Sequence, residues 1–234
     1  MSEHAGQGGS AAGHDLADLI NARIDRGRFH ELHWTGTFWD YLDICAKNPA
    51  VLRNAYQRLY DAVMAYGSEH YKLFKKDCVR YHFFSDPFDN GADGIFGLDF
   101  TLMQMVDTLR SAAEGYGTDK RILLLHGPVG SSKSTIARLL KKGAEHYSRT
   151  AEGALYSYSW LLDGHCEISP VHGDSKEAAK THEFACPMHE DPLILAPREA
   201  RVDLLARLNE SYTPEHHSGK LRVEGEPDPF CRKI

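Results

Sequence analysis

An α/β fold, built around a strand, a glycine-rich turn and a helix, is what this sequence predicts. Three observations carry that expectation. Ile122-Leu123-Leu124-Leu125 is a short, wholly apolar run of strand length. It enters Gly127-Pro-Val-Gly-Ser-Ser-Lys-Ser134, which holds two glycines and ends in Lys-Ser. From Ser134 to about Tyr147, Ile136, Leu139 and Leu140 recur at helical spacing. Together these form the layout of a phosphate-binding P-loop, in which backbone N–H groups and a helix N-terminus hold anionic oxygens. Gly127, Pro128, Val129, Gly130, Ser131, Ser132, Lys133, Ser134 and Thr135 are the expected nucleotide-binding residues. Lys133 is the expected catalytic residue, reaching the β- and γ-phosphates, and the Ser134 hydroxyl is the expected Mg²⁺ ligand. The usual pattern places glycine immediately before the lysine, and here Ser132 stands there.

Composition narrows the class. The 234 residues are 42% hydrophobic and 26% charged, ordinary for a soluble globular chain of one large or two small domains. With 33 acidic against 27 basic residues the net charge is −6, which argues against a bulk electrostatic grip on nucleic acid. No apolar stretch reaches the length of a membrane span, and the N-terminal MSEHAGQGGSAAGHD lacks the basic and apolar regions of a signal peptide. The five cysteines are irregularly spaced and read as reduced thiols of a cytoplasmic protein.

Residues 1–28 are rich in Gly, Ala, Ser and His and read as a disordered tail. Residues 29–80 read as a helical unit. Thr37 is placed to cap a helix carrying Tyr41, Leu42, Ile44 and Cys45, and Asn48-Pro49 ends it and opens a second helix closed by Gly67. Residues 81–234 then carry the nucleotide-binding part. Cys78–Phe84 alternates weakly as a strand, and Ser85-Asp86-Pro87 and Asp89-Asn90-Gly91 are turn signals. Leu98 to Ala113 is an amphipathic helix with Asp99 as a cap, ended by Gly115-Tyr116-Gly117. Arg121–His126 and Ala154–Leu162 read as strands, Gly164–Lys180 as loop, and Arg198–Asn209 as a helix.

P-loop enzymes also need an acidic residue at the end of a neighbouring strand. Trp160-Leu-Leu-Asp163 is the one candidate by pattern, and its place directly after the P-loop helix is a weak match. Cys186-x-x-His189 has the short spacing of a zinc pair, with Cys166, His165 or His172 as its second half. That second half is not cleanly spaced, and with 14 histidines in the chain the plainer expectation is buried cysteine and surface histidine.

Three stretches read together are more specific: WTGTFWDYLDICAKNPAVLRNAYQRLYDAVMAYG, FFSDPFDNGADGIFGLDFTLMQMVDTLRSAAEGYGTDKRILLLHGPVGSSKSTIARLLKKG, and EGALYSYSW with CPMHEDPLILAP. In order and spacing they resemble the N-terminal region of the PrkA family of bacterial serine protein kinases, from about Phe29 onward. The resemblance implies a partial P-loop NTPase core of the AAA type preceded by the helical unit. It implies ATP and Mg²⁺ as cofactors and a protein substrate for the full-length protein, while the charge balance and the lack of an apolar span lead us to expect no nucleic acid or membrane partner. Ser132 becomes a family variant. Ring-like homo-oligomers follow only by fold analogy. The Walker B strand, sensors, arginine finger and C-terminal kinase-like region of the family are not visible here, and one cysteine, Cys231, stands where a Cys-x-x-Cys is typical. The chain therefore reads as the N-terminal part of something longer. Two alternatives stay open: an ATP-driven AAA protein acting on proteins by proteolysis or remodelling, and a catalytically silent nucleotide-binding fragment.

Overall fold

Apolar residues at helical spacing set the framework. In the computed structural model, which describes residues 33–163, 181–217 and 219–233, Phe38 onward forms one unit. Helix α1 (Phe38–Lys47) buries Tyr41 and Cys45, one turn apart. Asn48 accepts a hydrogen bond from the Ala50 amide and opens a 3-10 turn, Pro49–Leu52. The second helix, α2 (Ala55–Met64), therefore begins six residues later than Asn48-Pro49 suggests. Asn54 caps it instead, in a reciprocal box with Gln57. Gly67, with φ of 77°, takes the left-handed turn after it.

A β-hairpin follows, within the segment read as helical. Strands β1 (Ser68–Leu73) and β2 (Lys76–Tyr81) pair antiparallel, from Ser68 opposite Tyr81 to Leu73 opposite Lys76. The expected strand was Cys78–Phe84. The observed one starts earlier and ends at Tyr81, where a 3-10 turn, His82–Ser85, takes over. That turn sends Phe83 and Phe84 into the core.

Helix α3 (Asp99–Glu114) ends at Gly115, with φ of 84°. Asp99 is its first residue rather than its cap. Its carboxylate instead accepts from the Tyr71 hydroxyl (2.6 Å) and Arg80 (3.1 Å), tying the hairpin to the helix start. Helix α4 (Lys133–Ser148) packs against α2 and the His82–Ser85 turn. One core gathers Tyr60 and Val63 of α2, Tyr81, Phe83 and Phe84, then Leu102, Met105, Val106 and Leu109 of α3, and Ile136 and Leu139 of α4.

Strands β3 (Ser159–Asp163) and β4 (Thr181–Ala185) form a second antiparallel pair. β3 is shorter than the apolar run Ala154–Leu162 suggests, because only residues opposite β4 gain a ladder partner. The expected loop Gly164–Lys180 lies outside the described residues. A 3-10 turn (Pro192–Leu195) and helix α5 (Arg198–Ser211) follow. A second core joins Tyr41, Cys45, Val51 and Leu52 to Leu193 and Leu221. Tyr41 donates to both carboxylate oxygens of Asp191, at 2.9 and 2.8 Å, and burial pushes the Asp191 carboxyl above its ordinary range.

Candidate functional site: a phosphate-loop corner

The corner is fixed from its helix side. Ile136 and Leu139 of α4 are buried in the first core. Two turns on, Gly143 lies against the Phe83 ring so closely that any Cβ there would collide with it. Beyond it, the Tyr147 hydroxyl accepts from Arg53 at 3.1 Å. On the polar face Lys142 meets Asp86, Asp89 and Asp93 at 3.6, 3.1 and 2.9 Å. Those carboxylates, led by the hydrogen bond to Asp93, hold the Lys142 ammonium well above the ordinary lysine range. Anchored along its length, α4 presents its N-terminus as a rigid base for the loop.

Loop geometry follows from its small residues. Gly130 adopts φ of 83° with open space where a side chain would stand. Ser132 is also left-handed, at φ 57° and ψ 12°, and immediately precedes α4. This is the conformation in which glycine meets no Cβ penalty, which accounts for glycine in the usual pattern. The Ser132 side chain makes no capping bond, so it supplies none of the acceptors that the first-turn amides of α4 lack. At Gly127 an added Cβ would come within 2.7 Å of Ser131 Oγ. Lys133 folds back over the loop and donates to Gly127 O (2.8 Å), Pro128 O (2.5 Å) and Ser131 Oγ (2.9 Å). Ser131 in turn donates to Pro128 O at 2.8 Å. Ser134, in the first turn, is exposed, and Thr135 follows half-buried. Gly127, Pro128, Ser131 and Lys133 are thus joined by hydrogen bonds, while Val129 stands fully in solvent.

The run Arg121–His126 differs from expectation. It forms no strand, because no strand pairs with it among the described residues. Ile122 and Leu124 are 95% and 80% exposed, and only Leu125 packs against the core. An apolar run without a ladder partner has no means of satisfying its backbone in a sheet. Asp163, the acidic candidate, is the last residue of β3 and lies opposite Thr181 in the hairpin sheet. Among the described residues that sheet contains β3 and β4 alone, and the segment leading into the loop is not part of it. His189 is exposed at φ 50°, away from the Cys186 sulfur's buried surroundings, and Cys166, His165 and His172 lie outside the described residues. A cavity of about 520 Å³ lies elsewhere, lined by Arg53, Asp61, Tyr147 and Tyr212 and by no loop residue. Two of its lining charges are paired with each other: Arg53 binds Asp61. Among the described residues no helix is long and apolar enough to cross a membrane.

Known proteins place this corner in a family. The PrkA AAA domain matches residues 36–213. The ATP-dependent protease PrkA of Bacillus subtilis is 33% identical over 214 residues, covering 90% of this chain and 26% of that protein. The serine/threonine kinase YeaG of Escherichia coli K12 is 30% identical over 113 residues, covering 45% of this chain and 16% of that protein. An uncharacterized protein in the gldA 5′ region of Geobacillus stearothermophilus is 34% identical over 106 residues, 98% of its length. No solved structure gives a significant match. The chain thus spans about a quarter or less of the PrkA and YeaG proteins that it resembles. An AAA domain is a P-loop nucleotide-binding domain, and with its match running over most of the sequence, this chain belongs to the PrkA family.

Proposed function

We propose that this chain is the Mg-ATP-binding module of a PrkA-like serine protein kinase, with residues 81–234 as a partial AAA-type domain and residues 29–80 as its N-terminal unit. The carrying observation is the loop between Gly127 and Lys133, which opens onto an anchored helix with unfilled first-turn amides. Those amides and the positive end of α4 suit the β- and γ-phosphates. Lys133 exchanges its loop carbonyls for phosphate oxygens and brings the one positive side chain of the loop. The Ser134 hydroxyl, exposed in the first turn, is the Mg²⁺ ligand, and the ion would neutralise charge on the bridging oxygens. Gly127 and Gly130 keep the backbone close to the anion.

Cleavage is assigned to parts of the full-length protein beyond these residues, since Asp163 sits in a separate hairpin. The exposed Ile122–Leu124 run is proposed as the segment that would pair as a strand in a complete core of this type. A second reading, an ATP-driven protein that degrades or remodels other proteins, is favoured by the name of the Bacillus relative. Calorimetric titration of the purified chain tests the module. Mg-ATP binds the wild type and not Lys133→Ala; equal binding by the two would remove the assignment. For the full-length protein, phosphate incorporation into a protein substrate supports the kinase, and ATP-dependent peptide release supports the protease.

A further inference from the structure

Away from the phosphate loop, three ligand-type side chains meet inside the protein. Cys186 directly follows β4, and Asp228 and Cys231 belong to a turn near the end of the described chain. All three are buried, and one ligand atom from each lies within 4.8 Å of the others. Cys186 Sγ is 3.7 Å from Asp228 Oδ2. Around tetrahedral zinc, with Zn–S of about 2.3 Å and Zn–O of about 2.0 Å, a sulfur and an oxygen stand about 3.5 Å apart and two sulfurs about 3.8 Å. The Cys186–Asp228 separation is close to that spacing, and all three donors converge on one spot.

Carboxylates surround the Cys186 sulfur, which donates to Asp228 Oδ2 and Glu190 Oε2. Glu190 lies beside them, with Oε2 at 3.9 Å from Cys186 Sγ, and accepts from the Asp228 amide at 3.1 Å. Two carboxylates and two sulfurs thus share one spot, and no lysine, arginine or histidine among the described residues forms an ion pair with either carboxylate. Asp228 is buried and Glu190 half-buried, and carboxylates taken out of water are costly unless a cation or hydrogen-bond donors compensate them. Donors converge on the same groups: the Glu190 amide to Cys186 Sγ (3.5 Å) and the Tyr158 hydroxyl to Glu190 Oε2 (3.3 Å). The Trp160 indole N–H is buried without a hydrogen-bond acceptor, and it and Tyr158 both face Cys231. Such N–H and O–H groups around sulfur and carboxylate ligands orient them and hold them ready for a metal. Phe184 and Phe230, with ring centroids 6.4 Å apart, bring the strand before Cys186 against the turn that holds Cys231.

We propose that Cys186, Asp228 and Cys231 form a zinc site, with Glu190 as the nearest fourth ligand, that fastens the Asp228–Cys231 turn to the β3–β4 hairpin. Two sulfurs with carboxylate oxygens, closed off from solvent, suit zinc over magnesium or calcium, which prefer all-oxygen shells. The pairing is not the Cys186-x-x-His189 one that spacing suggests. His189 is turned out to solvent, and its place is taken by residues some forty positions further along the chain.

The test uses the whole 234-residue chain, purified under reducing conditions without a metal-affinity tag. Plasma mass spectrometry finds about one zinc per chain. After chelation, Co²⁺ produces the strong visible absorption of tetrahedral thiolate cobalt. Cys186→Ser and Cys231→Ser each weaken zinc binding at least about tenfold. Asp228→Cys, which adds a thiolate in place of a carboxylate, holds zinc more tightly against a competing chelator while its circular dichroism stays that of the folded chain; weaker zinc retention in the folded variant would overturn the proposal. Folded wild-type chain with no zinc and no cobalt spectrum would overturn the proposal. So would full zinc retention in both serine variants.

Discussion

Ser132 lies where two demands conflict. The loop needs a left-handed residue immediately before α4, and serine carries a Cβ that this conformation crowds. Replacing it by glycine separates the backbone requirement from any role of the hydroxyl. At φ 57° and ψ 12° the residue is fully within the left-handed region. An L-residue there costs roughly 1–2 kcal/mol relative to the right-handed form. Glycine removes that cost and adds about 0.5–1 kcal/mol of unfolded-chain entropy. Ser132→Gly is therefore expected to stabilise the fold by about 0.5–1 kcal/mol, which raises Tm by roughly 1–4 °C in a chain of this size. Since the hydroxyl makes no capping bond, Ser132→Ala keeps the strain and stays within about 0.5 kcal/mol of wild type. Differential scanning fluorimetry and urea denaturation read both, and calorimetry follows Mg-ATP, whose affinity is unchanged or a few-fold tighter in the glycine variant. A destabilised glycine variant, or an alanine variant that loses more than 1 kcal/mol, would refute the reasoning, because the serine would then be held by its side chain.

Other expectations follow from named contacts. Gly143→Ala gains about 1 kcal/mol of helix propensity but drives a Cβ into the buried Phe83 ring, and the net loss is about 1–2 kcal/mol in urea denaturation. Asp61→Ala strands Arg53, whose side chain is only 7% exposed, and lowers stability by about 3–5 kcal/mol, with Asp61→Asn intermediate. Acid sensitivity has a definite sign. The hydrogen bond from Lys142, with Arg138 nearby, holds Asp93 below the ordinary carboxylate range; at Asp99 burial pushes upward, but bonds from Arg80 and Tyr71 outweigh it. Their contribution is complete above the unfolded value of about 3.9 and is lost as pH falls through the lower folded values. Tm should therefore fall steeply below about pH 4, and the Asp93→Asn/Asp99→Asn variant should lose less over that interval. Asp191, shifted upward by burial, acts in the opposite sense. Purified chain should hydrolyse ATP only at background rate; robust turnover would point to an acidic partner within these residues, with Asp163 the first to mutate.

Much of the framework was legible because it rests on local rules. α3 and α4 repeat their apolar residues at helical spacing, and Gly115 and Gly67 stop helices for lack of a Cβ. The hairpin β1–β2 was missed because its turn residues, Phe74 and Lys75, take φ of 48° and 69° without the Asn-Gly signal that marks such turns. α2 was placed too early because Pro49 signals a helix start but opens only a 3-10 turn. The loop residues could be read from their order alone, since they are consecutive. The absence of a strand at Arg121–His126 could not, because pairing depends on distant chain. The Cys186, Asp228 and Cys231 grouping was hidden for the same reason: the plainer reading, buried cysteine and surface histidine, holds for Cys186 and His189, and an aspartate in a turn carries no sequence signal of its own.

Hydrogen exchange with and without Mg-ATP tests the central claim, that the loop before α4 is the nucleotide site. The account predicts slowed exchange in peptides spanning Gly127–Ile136, abolished by Lys133→Ala and absent from the hairpins. Unchanged exchange across that segment, or protection that appears only around the Arg53–Asp61 cavity, would contradict it.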